Sequence, residues 1–153
     1  MPCVKIALVG SAPSSVQKAP YGDTSWRIWS CSPGAYPFVK RCDAHFEVHP
    51  WELDKPWFSP DYVKWLAQQP AVYMIEPVPQ LPNSIAYPKD EMLLRFAPYS
   101  AAFMTSSLSW MFALAITQGA TEIGLWGVDM AAQDEWLWQK PGCLFWIAHA
   151  RHL

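Results

Sequence analysis

One pattern occurs near both ends of this sequence: a short apolar strand followed at once by small polar residues. Near the N-terminus, Lys5–Val9 leads into the loop Gly10–Ser15. Toward the C-terminus, Glu122–Trp126 leads into Gly127–Asp129. An unbroken apolar run of this length predicts a strand that is buried on both faces of a parallel sheet. Open α/β sheets bind ligands at the loops that follow such strands, so both loops are candidate sites.

Predicted strands and helices alternate along the rest of the chain. The further strands are Trp26–Cys31, Asp43–His49 and Ala71–Ile75, and the helices are Pro60–Gln68, Ser106–Gln118 and Trp136–His152. We predict that Glu122–Trp126 is a central strand, that the proline-rich segment Glu76–Pro88 is a loop, and that the last helix is broken at Pro141-Gly142. This alternation predicts an α/β, Rossmann-like fold, with a mostly parallel sheet and helices on both faces. The length of the chain predicts one domain over residues 1–153.

The helix predicted over Ser106–Gln118 is apolar on nearly all sides. Thr105 or Ser106 suits its N-cap, and Gly119 suits the position just after its C-terminus. Four apolar residues recur at helical spacing, and we expect them to pack on the first and last strands. These residues are Leu108, Met111, Phe112 and Ala115.

The charge balance and the cysteines narrow the partners that this chain can have. The formal net charge is −2 and no basic stripe stands out, which argues against a nucleic-acid partner. No apolar stretch reaches the roughly 18 residues of a membrane span, and no signal peptide is evident, so we expect a cytoplasmic protein with no membrane partner. None of the four cysteines forms a C-x-x-C pair, and we expect no disulfide, metal or cofactor.

Tryptophan is abundant, with ten residues in the chain. Some of them are expected at a surface that meets another subunit, another protein or a ligand, which would allow a homodimer or a protein partner. The alternative is that these side chains only fill the core and its edges.

The loop after the first strand is the first candidate site. Gly10 allows the backbone to turn sharply, and the hydroxyl groups of Ser11, Ser14 and Ser15 suit a phosphate or a sugar hydroxyl. The loop matches neither the dinucleotide-binding G-x-G-x-x-G motif nor the P-loop. The alternative is an ordinary turn between a strand and a helix.

Two more polar clusters follow later in the chain. Thr105, Ser106 and Ser107 open the best predicted helix, where free N–H groups and the helix dipole suit an anion; the alternative is simple capping, which needs one of them. Gly127 and Asp129 end the last strand, where a carboxylate accepts hydrogen bonds from ribose or sugar hydroxyls. The alternative for Asp129 is an N-cap.

The second and third predicted strands carry residues with reactive side chains. Ser32 follows the second strand and is placed in the ligand pocket; its neighbour Cys31 is interpreted as a buried thiol in preference to a nucleophile. His45, Glu47 and His49 alternate on one face of the third strand. Neighbours two apart on a strand are about 7 Å apart, which suits one metal ion poorly. We expect a polar face in contact with solvent.

Four segments of the chain occur in the same order in a group of Rossmann-like proteins: Val9–Ser14, Trp29–Ser32, Arg41–Phe46 and Thr105–Asp129. On these segments the chain resembles the bacterial α-2,3-sialyltransferases that use CMP-sialic acid, and the related pterin diphosphokinase-like family. In size and in the segment Gly127–Met130 it is more similar still to small phage and prophage proteins, and this resemblance implies that a phage or prophage encodes it.

The resemblance implies a nucleotide site and a set of residues around it. In the sialyltransferases, the loops that correspond to Gly10–Ser14 and Thr105–Ser106 line the CMP-sugar pocket, and Ser107 stands where those enzymes have Gly. Their general-base histidine follows the Gly-x-Asp segment, and in this sequence His149 and His152 follow it.

Three functions stay open from the sequence. The first is binding of a nucleotide or a nucleotide-like small molecule, in a pocket formed by Gly10–Ser15, Cys31–Gly34, Thr105–Ser107 and Gly127–Asp129. The second is a glycosyl or diphosphoryl transferase that acts on a nucleotide-activated donor, with Asp129 or a histidine in acid–base catalysis. The third is a non-enzymatic interaction protein that uses its Trp-rich surface.

Overall fold

Six parallel strands form a single sheet in the computed structural model, which describes residues 3–132 and 135–152. The strands are β1 Lys5–Val9, β2 Trp26–Cys31, β3 Ala44–Glu47, β4 Val72–Met74, β5 Ser84–Ala86 and β6 Glu122–Trp126. Their order is β5-β4-β3-β2-β1-β6, and every neighbouring pair is parallel. The chain therefore moves in one direction from β1 to β5 and then returns to place β6 on the other side of β1.

Helices cover both faces of this sheet, as predicted. The α-helices are α1 Pro60–Leu66, α2 Lys89–Arg95, α3 Ser100–Phe103, α4 Ser107–Thr117 and α5 Lys140–Arg151, with a 3-10 helix at Val16–Lys18 and a π-helical segment at Glu135–Gln139. Because side chains alternate along a strand, Ile6 and Leu8 of β1 pack in the same apolar cluster as α4, whereas Ala7 and Val9 pack with Val16 on the opposite face. The prediction of an α/β, Rossmann-like fold is confirmed. No helix among the described residues is long and apolar enough to cross a membrane.

Helix α4 is the centre of the larger core. Ser106 is its N-cap, and its hydroxyl oxygen accepts a hydrogen bond from the N–H of Ser109. Gly119 follows the helix with a φ of +74°, the left-handed conformation that ends helices. The four residues predicted for its core face are all buried in one cluster with β1, β2 and β3. β6 contributes only partly buried side chains, Ile123 and Leu125.

Three predictions about the elements are wrong. β6 is an edge strand; its apolar sequence reflects contact with α4 on one face and with Trp26 on the other, where the rings of Trp26 and Trp126 meet edge to face at 5.4 Å.

A strand, β5, lies inside the segment predicted as a loop, because the Asn83 side-chain amide donates to the carbonyls that end α1 and directs the chain alongside β4.

The last helix is also not broken at Pro141-Gly142. Proline stands in the first turn of α5, directly after the π-helical segment Glu135–Gln139, so the backbone changes from π to α spacing at this point and stays helical. Gly142 lets α5 pass close to the start of α4, because a Cβ there would lie 2.1 Å from the hydroxyl oxygen of Thr105. Both residues therefore belong to the helix start and the packing of α5.

Candidate functional site

The loops after β1 and β6 lie side by side at the carboxyl edge of the sheet. They follow the two strands between which the winding direction reverses, and crevices at such reversals are the usual ligand sites of open α/β sheets. The Gly10 N–H donates to the Trp126 carbonyl at 2.9 Å, and the Ala12 N–H donates to the Gly127 carbonyl at 2.9 Å. These two hydrogen bonds hold the loops together.

Two glycines make this close approach possible. A Cβ on Gly10 would lie 2.5 Å from the Gly127 carbonyl oxygen, and a Cβ on Gly127 would lie 2.6 Å from the Gly10 carbonyl oxygen. Gly127 also has a φ of +66°, which residues with a side chain adopt at a cost. The glycines that the sequence places after each strand are therefore required where the two backbones meet.

A cavity of about 400 Å³ opens between these loops and the start of α4. Its lining includes seven of the residues predicted for the ligand pocket: Gly10, Ser11, Ser32, Ser106, Ser107, Gly127 and Asp129. The volume lies within the range of small-molecule sites. The structure thus brings four separate segments of the sequence to one cavity at the carboxyl edge of the sheet.

Three predicted pocket residues do not line the cavity, and two of them support its loops. The Ser14 hydroxyl donates to the Asp129 carboxylate at 2.6 Å. The Ser15 hydroxyl oxygen accepts the Gly127 N–H at 2.8 Å. Thr105 faces α5 instead, and its buried hydroxyl has no hydrogen-bond partner among the described residues.

The backbone is strained at two positions in the lining. Ser32 has a φ of +68° and Met130 a φ of +46°, and they are the non-glycine residues with positive φ in the described part of the chain. Both line the cavity. Left-handed residues with side chains cost of order 1–3 kcal/mol each and cluster at functional sites, so their location here supports a binding role for this cavity.

The N-terminus of α4 faces the cavity with Ser106, Ser107 and Leu108. The Ser106 side chain satisfies one N–H of the first turn, that of Ser109. Free N–H groups at a helix N-terminus and the positive end of the helix dipole attract anions. This end of the cavity therefore suits a phosphate or a carboxylate.

Sequence reasoning missed a second carboxylate in the cavity, that of Glu135. Glu135 and Gln139 lie in the π-helical segment and both line the cavity. Such segments occur often at functional sites. The predicted last helix began one residue too late to include Glu135, whose carboxylate accepts the Ala132 N–H at 3.4 Å. Among the described lining residues, the two carboxylates have no Lys, Arg or His beside them.

Cys31 and the C-terminal histidines have no reactive arrangement here. Cys31 lines the cavity but is buried, and burial raises the pKa of its thiol to about 12; this agrees with its interpretation as a structural thiol. His149 belongs to α5, and its ring lies against Phe145 and Trp146 of the same helix and against Phe96 at the end of α2. Neither His149 nor His152 lines the cavity.

The polar residues of β3 do not form a solvent-facing surface, so that prediction is wrong. The side chains of His45 and Glu47 are fully buried, because α1 packs over this face and inserts Tyr62 between them. His49 lies beyond the end of the strand and is exposed. Strand alternation identified the shared face but not the helix that covers it.

The tryptophans divide between the core and the surface. Trp29 and Trp146 are buried, whereas Trp57, Trp136 and Trp138 are exposed. Trp136, Leu137 and Trp138 form consecutive exposed apolar residues on the π-helical segment beside the cavity.

No protein-family model matches this sequence, and no curated protein sequence matches it. Its fold is similar to solved structures of the sialyltransferase CstII from Campylobacter jejuni. The structure in complex with cytidine-5'-monophosphate has a TM-score of 0.58 at 16% identity over 97% of this chain and 76% of that one. The complex with CMP-3FNeuAc has a TM-score of 0.53 at 17% identity over 82% of this chain and 59% of that one. This protein therefore has a sialyltransferase-like fold.

Proposed function

We propose that this protein binds a nucleotide or a nucleotide-sugar in the cavity between β1 and β6. The observation that carries the proposal is the convergence of four loops at the reversal point of the sheet, around a cavity of about 400 Å³. The neighbours of similar fold are complexes with cytidine-5'-monophosphate or with the substrate analogue CMP-3FNeuAc, which supports a ligand of this class.

The polar groups of the cavity lie at two ends, and each end suits a different part of the ligand. The first turn of α4, with Ser106 and Ser107, is the place for a phosphate. Asp129 and Glu135 are acceptors for the hydroxyl groups of ribose or of a sugar. Because no basic side chain stands among the described lining residues, we expect one phosphate to be favoured over two or three, whose added charge would meet the two carboxylates without compensation.

A titration of cytidine mono-, di- and triphosphates and of a CMP-sugar by calorimetry tests the proposal. Ligand at about 100 times its dissociation constant should stabilise the fold by about 2.7 kcal/mol, so a thermal shift reports binding independently. Glu52→Gln, an exposed carboxylate outside this cavity, is the matched control for substitutions in the site. Absence of heat and of a thermal shift with every nucleotide at millimolar concentration would refute the proposal.

Glycosyl or diphosphoryl transfer is a second candidate, and the pair of carboxylates in one cavity favours it. Asp129 would orient the ligand through its hydrogen bond with Ser14, and Glu135 would serve as the acid or base. Turnover of a CMP-sugar or of a nucleoside triphosphate that is lost in Glu135→Gln, while nucleotide affinity is retained, would support this candidate. Binding without turnover would leave a binding protein.

A protein partner or homodimer is a third candidate, and the exposed segment Trp136–Trp138 favours it. Contiguous exposed apolar patches mark interaction surfaces on soluble proteins. Replacement of both tryptophans by Gln should convert an assembled form to a monomer in light scattering. A monomeric wild-type protein at high micromolar concentration would remove the homodimer.

A further inference from the structure

A chain of hydrogen bonds crosses the face of the sheet that α1 covers, and the cavity between β1 and β6 does not use it. The His45 Nδ1 lies 2.8 Å from the Ser30 hydroxyl, and its Nε2 lies 2.7 Å from the Tyr62 hydroxyl. The Tyr62 hydroxyl donates its only hydrogen to the Glu47 carboxylate at 2.6 Å. Its oxygen must therefore accept from His45, which places a hydrogen on Nε2. Burial lowers the pKa of His45 to about 4, so the ring is neutral at pH 7.

Glu47 is a buried carboxylate whose two oxygens are both occupied. One oxygen accepts from Tyr62, and the other accepts from the ring Nδ1 of His49 at 2.6 Å and from the backbone N–H of His49 at 3.1 Å. Burial alone would raise the pKa of Glu47, but the hydrogen bonds from His49 and Tyr62 outweigh burial and lower it. Glu47 is therefore ionised, and it holds the His49 ring in one orientation.

The second nitrogen of His49 has no such partner. Its Nε2 makes no hydrogen bond with any described residue, and the His49 side chain is 43% exposed. The hydrogen bond from Nδ1 to Glu47 raises the pKa of His49 against the opposing effect of burial. A ring of this kind, oriented by a buried carboxylate and open at Nε2, is prepared to exchange a hydrogen bond with a ligand.

His49 lines a cavity of about 580 Å³ at the carboxyl ends of β3 and β4. One part of the wall of this cavity is apolar and is formed by Val48, Pro50, Trp51, Ile75 and Val78. The rest is polar and is formed by His49, Glu52, Glu76 and Gln80. Trp51 contributes ring surface to this wall, whereas its Nε1 is buried and has no hydrogen-bond partner among the described residues. The cavity thus combines an apolar surface with a small set of polar side chains, a combination that small-molecule sites also use.

The charges around this cavity select the class of ligand. Its carboxylates are Glu52, which forms an ion pair with Lys55 at 3.1 Å, and the exposed Glu76. The positive charge of His49 is matched by Glu47. No cation of the described lining is left to attract an anion, so anionic ligands are disfavoured.

We propose that the cavity beside His49 is a second ligand site, which takes an uncharged molecule with an apolar body and a hydroxyl group. A hydroxyl accepts from a protonated Nε2 and donates to a deprotonated one, so it pairs with His49 in both states, whereas an ammonium or a carbonyl pairs in only one. The apolar body packs against Trp51, Ile75 and Val78. The site goes beyond nucleotide binding and does not depend on it.

Nuclear magnetic resonance of protein labelled with 15N-histidine tests this site, with phenol as the probe. We expect phenol to shift the Nε2 signal of His49 with a dissociation constant of about 1–10 mM, as for a seven-atom fragment. The signals of His149 and His152 are internal controls and should not move. Benzoate has the same ring but a negative charge, and it should shift His49 at least tenfold more weakly.

Two variants separate a site from a non-specific effect. His49→Gln should remove the phenol response that intrinsic tryptophan fluorescence reports for the wild type, and His152→Gln should retain it. Saturable binding of phenol at His49, with benzoate weaker, supports the site whether or not nucleotides bind. No saturable shift at His49 up to about 50 mM phenol, or an equal response to benzoate, would overturn it.

Discussion

The Ser14 hydroxyl donates a hydrogen bond of 2.6 Å to the Asp129 carboxylate. The two residues follow β1 and β6, which are neighbours in the sheet although 115 positions separate the partners in sequence. The contact fixes the orientation of the carboxylate at the edge of the nucleotide cavity that we propose. A hydrogen bond from a hydroxyl to an ionised carboxylate is stronger than a hydrogen bond between two neutral groups.

Asp129→Asn is expected to weaken nucleotide binding about tenfold, which is about 1.4 kcal/mol. The amide can still accept from Ser14, but it loses the charge that strengthens hydrogen bonds from ligand hydroxyls. We expect any measurable turnover to persist in this variant. Calorimetric titration with CMP measures the change.

Ser14→Ala provides the coupled variant for a double-mutant cycle. If Ser14 acts by orienting Asp129, its effect on affinity should largely vanish in the Asp129→Ala background, which removes the acceptor. Fully additive losses would show that the two residues act separately. A transfer rate that falls by orders of magnitude in Asp129→Asn would instead make Asp129 a catalytic residue.

Three glycine-to-alanine variants should rank in one order of stability. In Gly22→Ala the new Cβ has open space around it. Gly119→Ala places a side chain at a φ of +74°. Gly127→Ala also places a side chain at a positive φ, and its Cβ would lie 2.6 Å from the Gly10 carbonyl oxygen. We expect little loss for the first, about 1–2 kcal/mol for the second, and more for the third. Urea denaturation measures the three free energies of unfolding. Equal values for Gly119→Ala and Gly127→Ala would show that the loops separate without cost.

The best predicted elements are those with strong local signals. The unbroken apolar run of β1 and the capped helix α4, between Ser106 and Gly119, lie where the sequence places them. The location of the Gly10 and Gly127 loops at one edge also follows from the sequence, because parallel strands end at one edge. Their contact depends on the pairing of β1 with β6, which the sequence does not show. By contrast, β5 has three residues and no apolar pattern, so only its contact with β4 defines it.

The errors in the site have the same physical origin. Burial of His45 depends on Tyr62, which is 17 residues away, and Glu135 reaches the cavity through a π-helical segment that no local pattern marks. Strand periodicity cannot tell an edge from a centre, as β6 shows. The phage origin, the pterin diphosphokinase-like resemblance and the cytoplasmic location stay predictions.

Met111→Asp is expected to prevent soluble expression. Met111 is fully buried in the core cluster under α4, where a carboxylate finds no described partner. An unpaired buried charge costs several kcal/mol, which is comparable with the whole stability of a small domain. Met111→Leu conserves volume and should cost less than about 1.5 kcal/mol. The soluble fraction after expression compares the two, and a soluble, stable Met111→Asp protein would contradict the burial.

Acid should destabilise this protein through His45. Burial lowers the pKa of His45 from its ordinary value of 6.5 to about 4. Between these values the unfolded chain binds a proton that the folded protein does not, so stability rises with pH in this window. The contribution of His45 to the free energy of unfolding is complete above pH 6.5 and declines as pH falls. At pH 5 it is lower by about 2 kcal/mol than above pH 6.5. Glu47, whose pKa is lowered, adds to the loss at still lower pH.

His49 acts in the opposite direction, because its pKa is raised. Its contribution to stability is complete below the pKa of the unfolded chain and is lost as pH rises through the pKa of the folded protein.

Urea denaturation of the wild type, His45→Gln and His152→Gln between pH 5 and 7 separates these effects. His45→Gln keeps polar atoms near Ser30 and Tyr62, and it should lower stability at pH 7. Because Gln does not titrate, the slope of the free energy of unfolding against pH should flatten below pH 6.5. His152→Gln, at an exposed position, should keep the wild-type slope. An unchanged slope in His45→Gln would mean that the buried ring is not the group that takes up the proton on unfolding.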